Sequence, residues 1–257
     1  MTGFNDAFII DGKTKYELIR KSPKSADIIH PILRGRDIDA YDIKFADLWI
    51  IFIPWHFPLH KDSSVNGSSL KAENAFKEEY PEIFEHLLQF KFQLSERNKA
   101  ETGIRYEWYA LQRCANTYFD EFKKEKIVYP NMTKFLPFVY DTSGFYINQK
   151  CFIITGKYLG YLTAFLNSSL FKFCFRENFP ELLGGTRELS KVFFEKIPVK
   201  PVSNELEQIF LQKINVIQEL KKQNKETIEH EQEIEKILHS IYELDEMESL
   251  IINNVKL

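Results

Sequence analysis

The chain has only three cysteines, Cys114, Cys151 and Cys174, among 257 residues. They are scattered, odd in number and form no C-x-x-C pair. This argues against a disulfide scaffold or a cysteine zinc site and fits a reducing compartment. No apolar run approaches the ~20 residues needed to span a bilayer. The opening MTGFNDAFII lacks the basic region and small-residue cleavage site of a signal peptide. The expectation is a soluble, cytoplasmic protein with no membrane partner.

What the chain does contain is ordinary globular material. Apolar residues make up 44% and charged residues 28%, a balance that supports a packed core rather than disorder. The 23 Phe and 12 Tyr supply flat side chains for cores and for stacking. The length suits one well-buried domain with an appendage, or two small domains. The net charge of −3 hides an asymmetry. From Ser203 onward there are six Lys/Arg against twelve Asp/Glu, so the preceding 202 residues hold the other 28 and 25. A mildly basic body therefore precedes an acidic tail. Nucleic-acid footprints are local patches, so the net value does not exclude one.

In chain order, residues 4–10 (FNDAFII) read as a short strand. Residues 13–29 carry helical spacing through Tyr16, Leu18 and Ile19 up to a Ser22-Pro23 break. The run LWIIFI (48–53), closed by Pro54, predicts a buried strand. The turn-rich PWHFPLHKDSSVNGSS that follows predicts a long loop. Pro81 suits the first position of a helix running to about Arg97. Residues 104–111 alternate as a half-buried strand does. Ile127–Tyr129 predict another strand, and 145–147 with 151–155 predict a hairpin. Helical spacing returns over 158–175. Past Pro198 and Pro201, Asn204 with Glu207 predicts a capping box that opens an amphipathic helix. A second helix follows through Ile234, Ile237, Leu238 and Ile241, and a third starts at Asp245 with Glu248. The fold class expected is α+β: a mixed, mostly antiparallel twisted sheet with flanking helices, then a C-terminal helical hairpin or bundle arm. The domains expected are 1–200 and an acidic arm over 201–257, which should pack on protein.

Three stretches attract attention for chemistry. His56 and His60 are four apart, but Pro58 between them forbids a regular helix and no acidic or cysteine partner sits at a zinc-like interval. Trp55-His56-Phe57 is a contact surface or plain loop packing. In HPILRGRDIDAY (30–41), Arg34 and Arg36 flank Gly35, a pattern that lets backbone approach a polyanion while two planar donors reach it. Asp37 is placed to hold one of these arginines in an ion pair instead. Leu183-Gly184-Gly185-Thr186-Arg187 is either a hinge loop or a set of backbone donors for a phosphate.

Seven segments in order carry a family resemblance: TGFNDAFII (2–10), HPILRGRDI (30–38), YPEIFEHLLQFKFQLSER (80–97), YEWYALQR (106–113), KIVYPNM (126–132), LTAFLNSSL (162–170) and FEKIPV (194–199). Together the chain resembles the TaqI-like C-terminal specificity domain of type IIG restriction–modification enzymes and related adenine-specific DNA methyltransferases. The helical tail, with IEKILHSIYELDEMES (234–249), is similar to the end of those proteins and of type I specificity subunits.

The resemblance implies a target-recognition domain that grips duplex DNA opposite a methyltransferase domain or subunit. That partner would move a methyl group from S-adenosylmethionine to a flipped adenine, and an attached nuclease would use Mg2+. The methyltransferase signature, Asn-Pro-Pro-aromatic, is absent. Asn178-Phe179-Pro180-Glu181 is the nearest string, no G-x-G motif follows a strand, and Glu121-Phe122-Lys123 is only a fragment of a nuclease signature. The expectation is thus a recognition fragment of a longer protein, with no catalytic or metal site of its own, and the abrupt Met1-Thr2-Gly3 start agrees. Phosphate-binding candidates are Arg34, Arg36, Thr186, Arg187 and Lys191, and base-reading candidates are His56, Gln112, Arg113 and Asn131. Two alternatives stay open: a stand-alone specificity subunit of a type I-like system, and a protein-interaction domain without DNA.

Overall fold

A computed structural model of the chain describes residues 2–112 and 120–254. In chain order its elements are α1 (Asn5–Phe8), β1 (Ile9–Asp11), α2 (Gly12–Lys21), β2 (Ile29–Leu33), β3 (Ile38–Asp39), β4 (Asp42–Ile43), β5 (Leu48–Ile51), α3 (Leu70–Glu79), α4 (Pro81–Leu88) and α5 (Lys91–Ser95). There follow β6 (Lys126–Pro130), β7 (Met132–Thr133), β8 (Val139–Asp141), β9 (Tyr146–Ile147), β10 (Cys151–Ile154), α6 (Leu159–Asn167), α7 (Ser169–Asn178), β11 (Arg187–Glu188), α8 (Lys191–Phe194), α9 (Asn204–Lys222), α10 (Ile228–Tyr242) and α11 (Glu246–Asn253). These form an α+β fold whose sheets are small and several rather than one continuous sheet. The chain divides into two units, 1–32 with 46–123, and 33–45 with 124–257.

In the first unit β5 is the central strand, antiparallel to β1 (Ile9↔Ile50) and to β2 (Ile29↔Ile51). The expected strand at 4–10 begins instead as a helical turn, so only Ile9–Asp11 pairs. Asp11 then caps α2 by accepting the Thr14 N–H at 2.8 Å. The helix at Pro81 forms, but it stops at Leu88 and restarts at Lys91. At the break the Phe90 ring packs 5.9 Å from Phe4 and 5.6 Å from His86, whose Nε2 lies 3.1 Å from the Ala7 carbonyl oxygen. The aromatic core stacks Phe76 on Tyr109 at 4.5 Å, with Phe57 and Phe84 edge-on to Phe76.

Residues 104–111 do not form a strand, and the reason is Arg97. Its guanidinium donates to the carbonyls of Trp108 (2.7 Å) and Ala110 (2.8 Å), and also to those of Leu94 and Thr2. Two carbonyls that a strand would offer to a neighbour are thereby satisfied by one side chain. Burial lowers the Arg97 pKa to about 10.

In the second unit β6 is central and wholly buried, antiparallel to β10 (Ile153↔Val128) and to β8 (Val128↔Val139). The expected hairpin of 145–147 with 151–155 does not form: β10 pairs with β6, and β9 is not its neighbour in the sheet. Alternation along β6 separates two packed faces. Val128 meets Leu33, Ile38, Val139 and Cys151 on one side, while Ile127 and Tyr129 join the large aromatic core on the other. At the start of the strand, Lys126 pairs with Asp141 at 2.6 Å, both side chains sealed from solvent.

The helices past residue 200 belong to this unit and its main core, so the boundary expected there falls inside one packed body. Phe210, Ile214, Ile217, Ile234 and Leu238 are buried together with Phe138, Phe165 and Phe171. Burying one such side chain contributes about 1.5–3 kcal/mol, so five of them rival the whole stability of a domain. The acidic residues take part as well. Ser203, not Asn204, caps α9. Glu207 points away from its own helix and accepts the N–H groups of Gly160 (2.9 Å) and Tyr161 (2.8 Å) at the start of α6. Glu235 of α10 does the same for α7, accepting the Ser169 N–H and hydroxyl, both at 2.7 Å. The third helix opens with the expected Asp245/Glu248 capping box.

Candidate functional site

The turn at 34–37 is built around a buried carboxylate. Asp37 is only 4% exposed, and it accepts the Arg34 backbone N–H (2.8 Å), Nε (2.9 Å) and Nη2 (2.7 Å). Burial opposes its charge, but the Arg34 side-chain and backbone hydrogen bonds outweigh that and hold the carboxyl below its usual range. The same bond raises the Arg34 pKa. Arg34 is therefore committed to the turn, as the ion-pair alternative anticipated.

Gly35 lies against the sheet. A Cβ added to it would come 3.2 Å from Pro130 Cβ and 3.8 Å from the Lys150 carbonyl oxygen, tighter than a side chain tolerates comfortably. This close approach leaves Arg36 facing outward. Arg36 is exposed and has no hydrogen bond or ion pair among the described residues.

Just before this turn the Leu33 carbonyl accepts the Asn148 N–H (3.0 Å), and further backbone hydrogen bonds join the other candidates in the unit. The Asn131 N–H donates to the Lys150 carbonyl (2.8 Å), and the Leu189 N–H donates to the Asn131 carbonyl (2.8 Å). β7 and β11 pair antiparallel, with Arg187 opposite Thr133. Thus Asn131, Lys150 and the β11 segment lie along one hydrogen-bonded path, and the Gly35 turn that carries Arg36 packs against it at Pro130 and Lys150. Asn131 is half-buried, with its backbone used in the ladder. Lys134 and Lys150 are exposed, and neither stood out in the sequence because each is a single lysine in a turn.

The remaining candidates divide. Arg187 is a structural cation, with its guanidinium donating to the Phe179 carbonyl, 3.2 Å from Glu181 and 5.9 Å from the Phe175 ring. The Thr186 hydroxyl donates to the Leu183 carbonyl at 3.1 Å, which closes the loop on itself. Lys191 is 85% exposed and pairs with Glu195 at 3.2 Å. His56 and Gln112 belong to the first unit. His56 is held by the buried Glu107, which takes its backbone N–H (2.8 Å) and meets its Nδ1 (3.1 Å), while the Ser69 N–H donates to the same carboxylate. Gln112 is half-buried beside Gly3. Arg113 lies outside the described residues. No group of three or more His, Cys, Asp or Glu side chains that could hold a metal ion occurs among the described residues.

No curated protein matches the chain. One solved structure that is similar is the type IIL restriction–modification enzyme MmeI in complex with DNA, at a TM-score of 0.60 and 10% identity. The match covers 97% of this chain and 34% of MmeI, so the chain corresponds in extent to about a third of that enzyme. At this identity the likeness is one of fold, and it includes the C-terminal helices. The TaqI-like C-terminal specificity domain matches residues 30–199, from the strand before the Arg34 turn to the end of the β11–α8 region. The chain therefore belongs to the TaqI-like C-terminal specificity domain family.

Proposed function

We propose that this chain is the DNA target-recognition part of a restriction–modification enzyme. The observation that carries the reading is the Arg34–Asp37 turn, which spends one arginine on rigidity and presents the other, Arg36, exposed and without a hydrogen bond or ion pair among the described residues. A duplex supplies what that geometry lacks, a row of phosphates. In this reading Arg36, Lys134 and Lys150 grip the backbone, and the half-buried Asn131 amide reads an adenine edge. Arg187 and Thr186 shape the neighbouring loop rather than touch phosphate, and Lys191 exchanges Glu195 for phosphate on binding. His56 and Gln112 remain base-reading candidates in the first unit.

The chemistry resides elsewhere in the enzyme. We assign it to a methyltransferase domain or subunit that uses S-adenosylmethionine to methylate adenine at N6, in a type IIG arrangement where a nuclease, if fused, takes Mg2+. Mapping methylated adenines in cells that express the parent gene tests this assignment.

Recognition itself is tested by duplex binding as a function of salt. Four phosphate contacts, from Arg36, Lys134, Lys150 and Lys191, predict a slope of log K against log salt of about −3.6, and Arg36→Ala should remove about one unit of it. A binding constant insensitive to salt, or no binding at low salt, would contradict the proposal.

A further inference from the structure

We propose that Leu183 is a wedge that enters a base step of the bound duplex, an inference that rests on the DNA-recognition reading above. Leu183 is 99% exposed, the most exposed of the large apolar side chains described, and it therefore contributes nothing to the core. It sits at the tip of a narrow loop. Gly184 and Gly185 follow it with φ of 77° and 74°, and no atom lies within 4 Å of a Cβ added to either. Among the described residues, Leu183 is thus the most exposed apolar side chain at that tip, ahead of two glycines and beside the less exposed Leu182 (37%).

The stem below the tip is stiff. The Leu182 N–H donates to the Thr186 carbonyl (2.7 Å), the Thr186 hydroxyl donates to the Leu183 carbonyl (3.1 Å), and Arg187 is tied to Phe179 and Glu181. From Arg187 the β7–β11 ladder leads to Asn131, Lys150 and the Gly35 turn, where the exposed cations Arg36, Lys134 and Lys150 lie. Glu188 is exposed on the same ribbon, so the basic surface lies to one side of the tip rather than around it. An apolar projection on a braced stem, beside cations that hold a phosphate backbone, has the form of a side chain that separates stacked bases.

A wedge must unstack an intact step but enters a ready-made gap without that cost. The test is fluorescence anisotropy of the 257-residue chain with two labelled duplexes of the same sequence, one intact and one with a single central abasic analogue. The wild type should prefer the gapped duplex by about tenfold. Leu183→Ala should abolish the preference and bind the intact duplex within about twofold of the wild type, whereas Leu183→Met should keep the preference. Because the side chain is solvent-exposed, none of these variants should change thermal unfolding. Equal wild-type affinity for both duplexes, or a preference that survives in Leu183→Ala, overturns the wedge and leaves the DNA reading intact. Leu183-dependent self-association without the preference overturns it in favour of a protein contact. Failure to bind either duplex at low salt removes the DNA reading itself, and the wedge with it.

Discussion

Glu207 is the clearest point at which to perturb the recognition unit without touching its candidate DNA surface. Its carboxylate is buried, and it accepts two backbone N–H groups that α6 cannot satisfy internally, because the residue before the helix, Tyr158, offers no side-chain cap. A hydrogen bond to a charged acceptor is worth about 1.5–3 kcal/mol, and an N–H left buried without a partner adds its own cost. Allowing for relaxation and water entry, Glu207→Ala should destabilise the unit by about 3 kcal/mol. At roughly 2–4 °C per kcal/mol for a protein of this size, the melting temperature should fall by about 6–12 °C. Glu207→Gln keeps the shape but has one acceptor oxygen and no charge, so about half the loss is expected. Urea and thermal unfolding followed by circular dichroism measure both. A loss under about 1 kcal/mol in the alanine variant, or a glutamine variant no better than alanine, would refute the assignment of Glu207 as the cap of α6.

Two further outcomes follow from the same unit. Lys126→Met leaves the buried Asp141 carboxyl without its cation and with only the Ser143 and Phe145 N–H groups as partners among the described residues, and should cost about 3–5 kcal/mol; the double variant Lys126→Met/Asp141→Leu should recover much of that in urea unfolding. The folded-state pKa of Asp37 is depressed, so its contribution is present above the unfolded value of about 3.9 and is lost as pH falls through the folded one. Asp37→Asn should therefore be less stable than the wild type at neutral pH, by about 1 kcal/mol, and the gap measured by urea unfolding should close as the pH is taken well below that value.

What could be read in the sequence were the features set by neighbours in the chain. The β-branched runs around Leu48–Ile51 and Ile127–Tyr129 gave strands, Pro81 opened its helix, and Asp245 with Glu248 closed a capping box. The errors arose where a distant group competed. Residues 104–111 alternate like a strand, yet Arg97 takes the carbonyls a partner strand would need. Glu207 has the spacing of a local capping box, yet it serves a helix more than forty residues away. The Arg34–Asp37 pair, three residues apart, is legible as an alternative, whereas Arg187 resembles a free cation in a linear string and only the fold reveals Phe179 and Glu181 as its partners. The outward-facing members of the surface, Arg36 and Leu183, depend on the opposite fact, that no distant group among the described residues covers them, and spacing alone does not show this.

The path of the chain bears on how such a domain could be exchanged. Residues 33–45 leave the first unit, place Leu33, Ile38 and Tyr41 in the packed clusters of the second, and return before β5. The second unit is therefore assembled from two separated pieces of sequence, and the short one carries Arg36. A single crossover near residue 123 would deliver a recognition unit without its Gly35 turn, with Val128 and Val139 bared where Leu33 and Ile38 had covered them. Grafting new specificity onto a relative would need two linked exchanges, at 33–45 and from 124 onward. Recombination that respects only one boundary should yield insoluble protein rather than a protein with altered specificity.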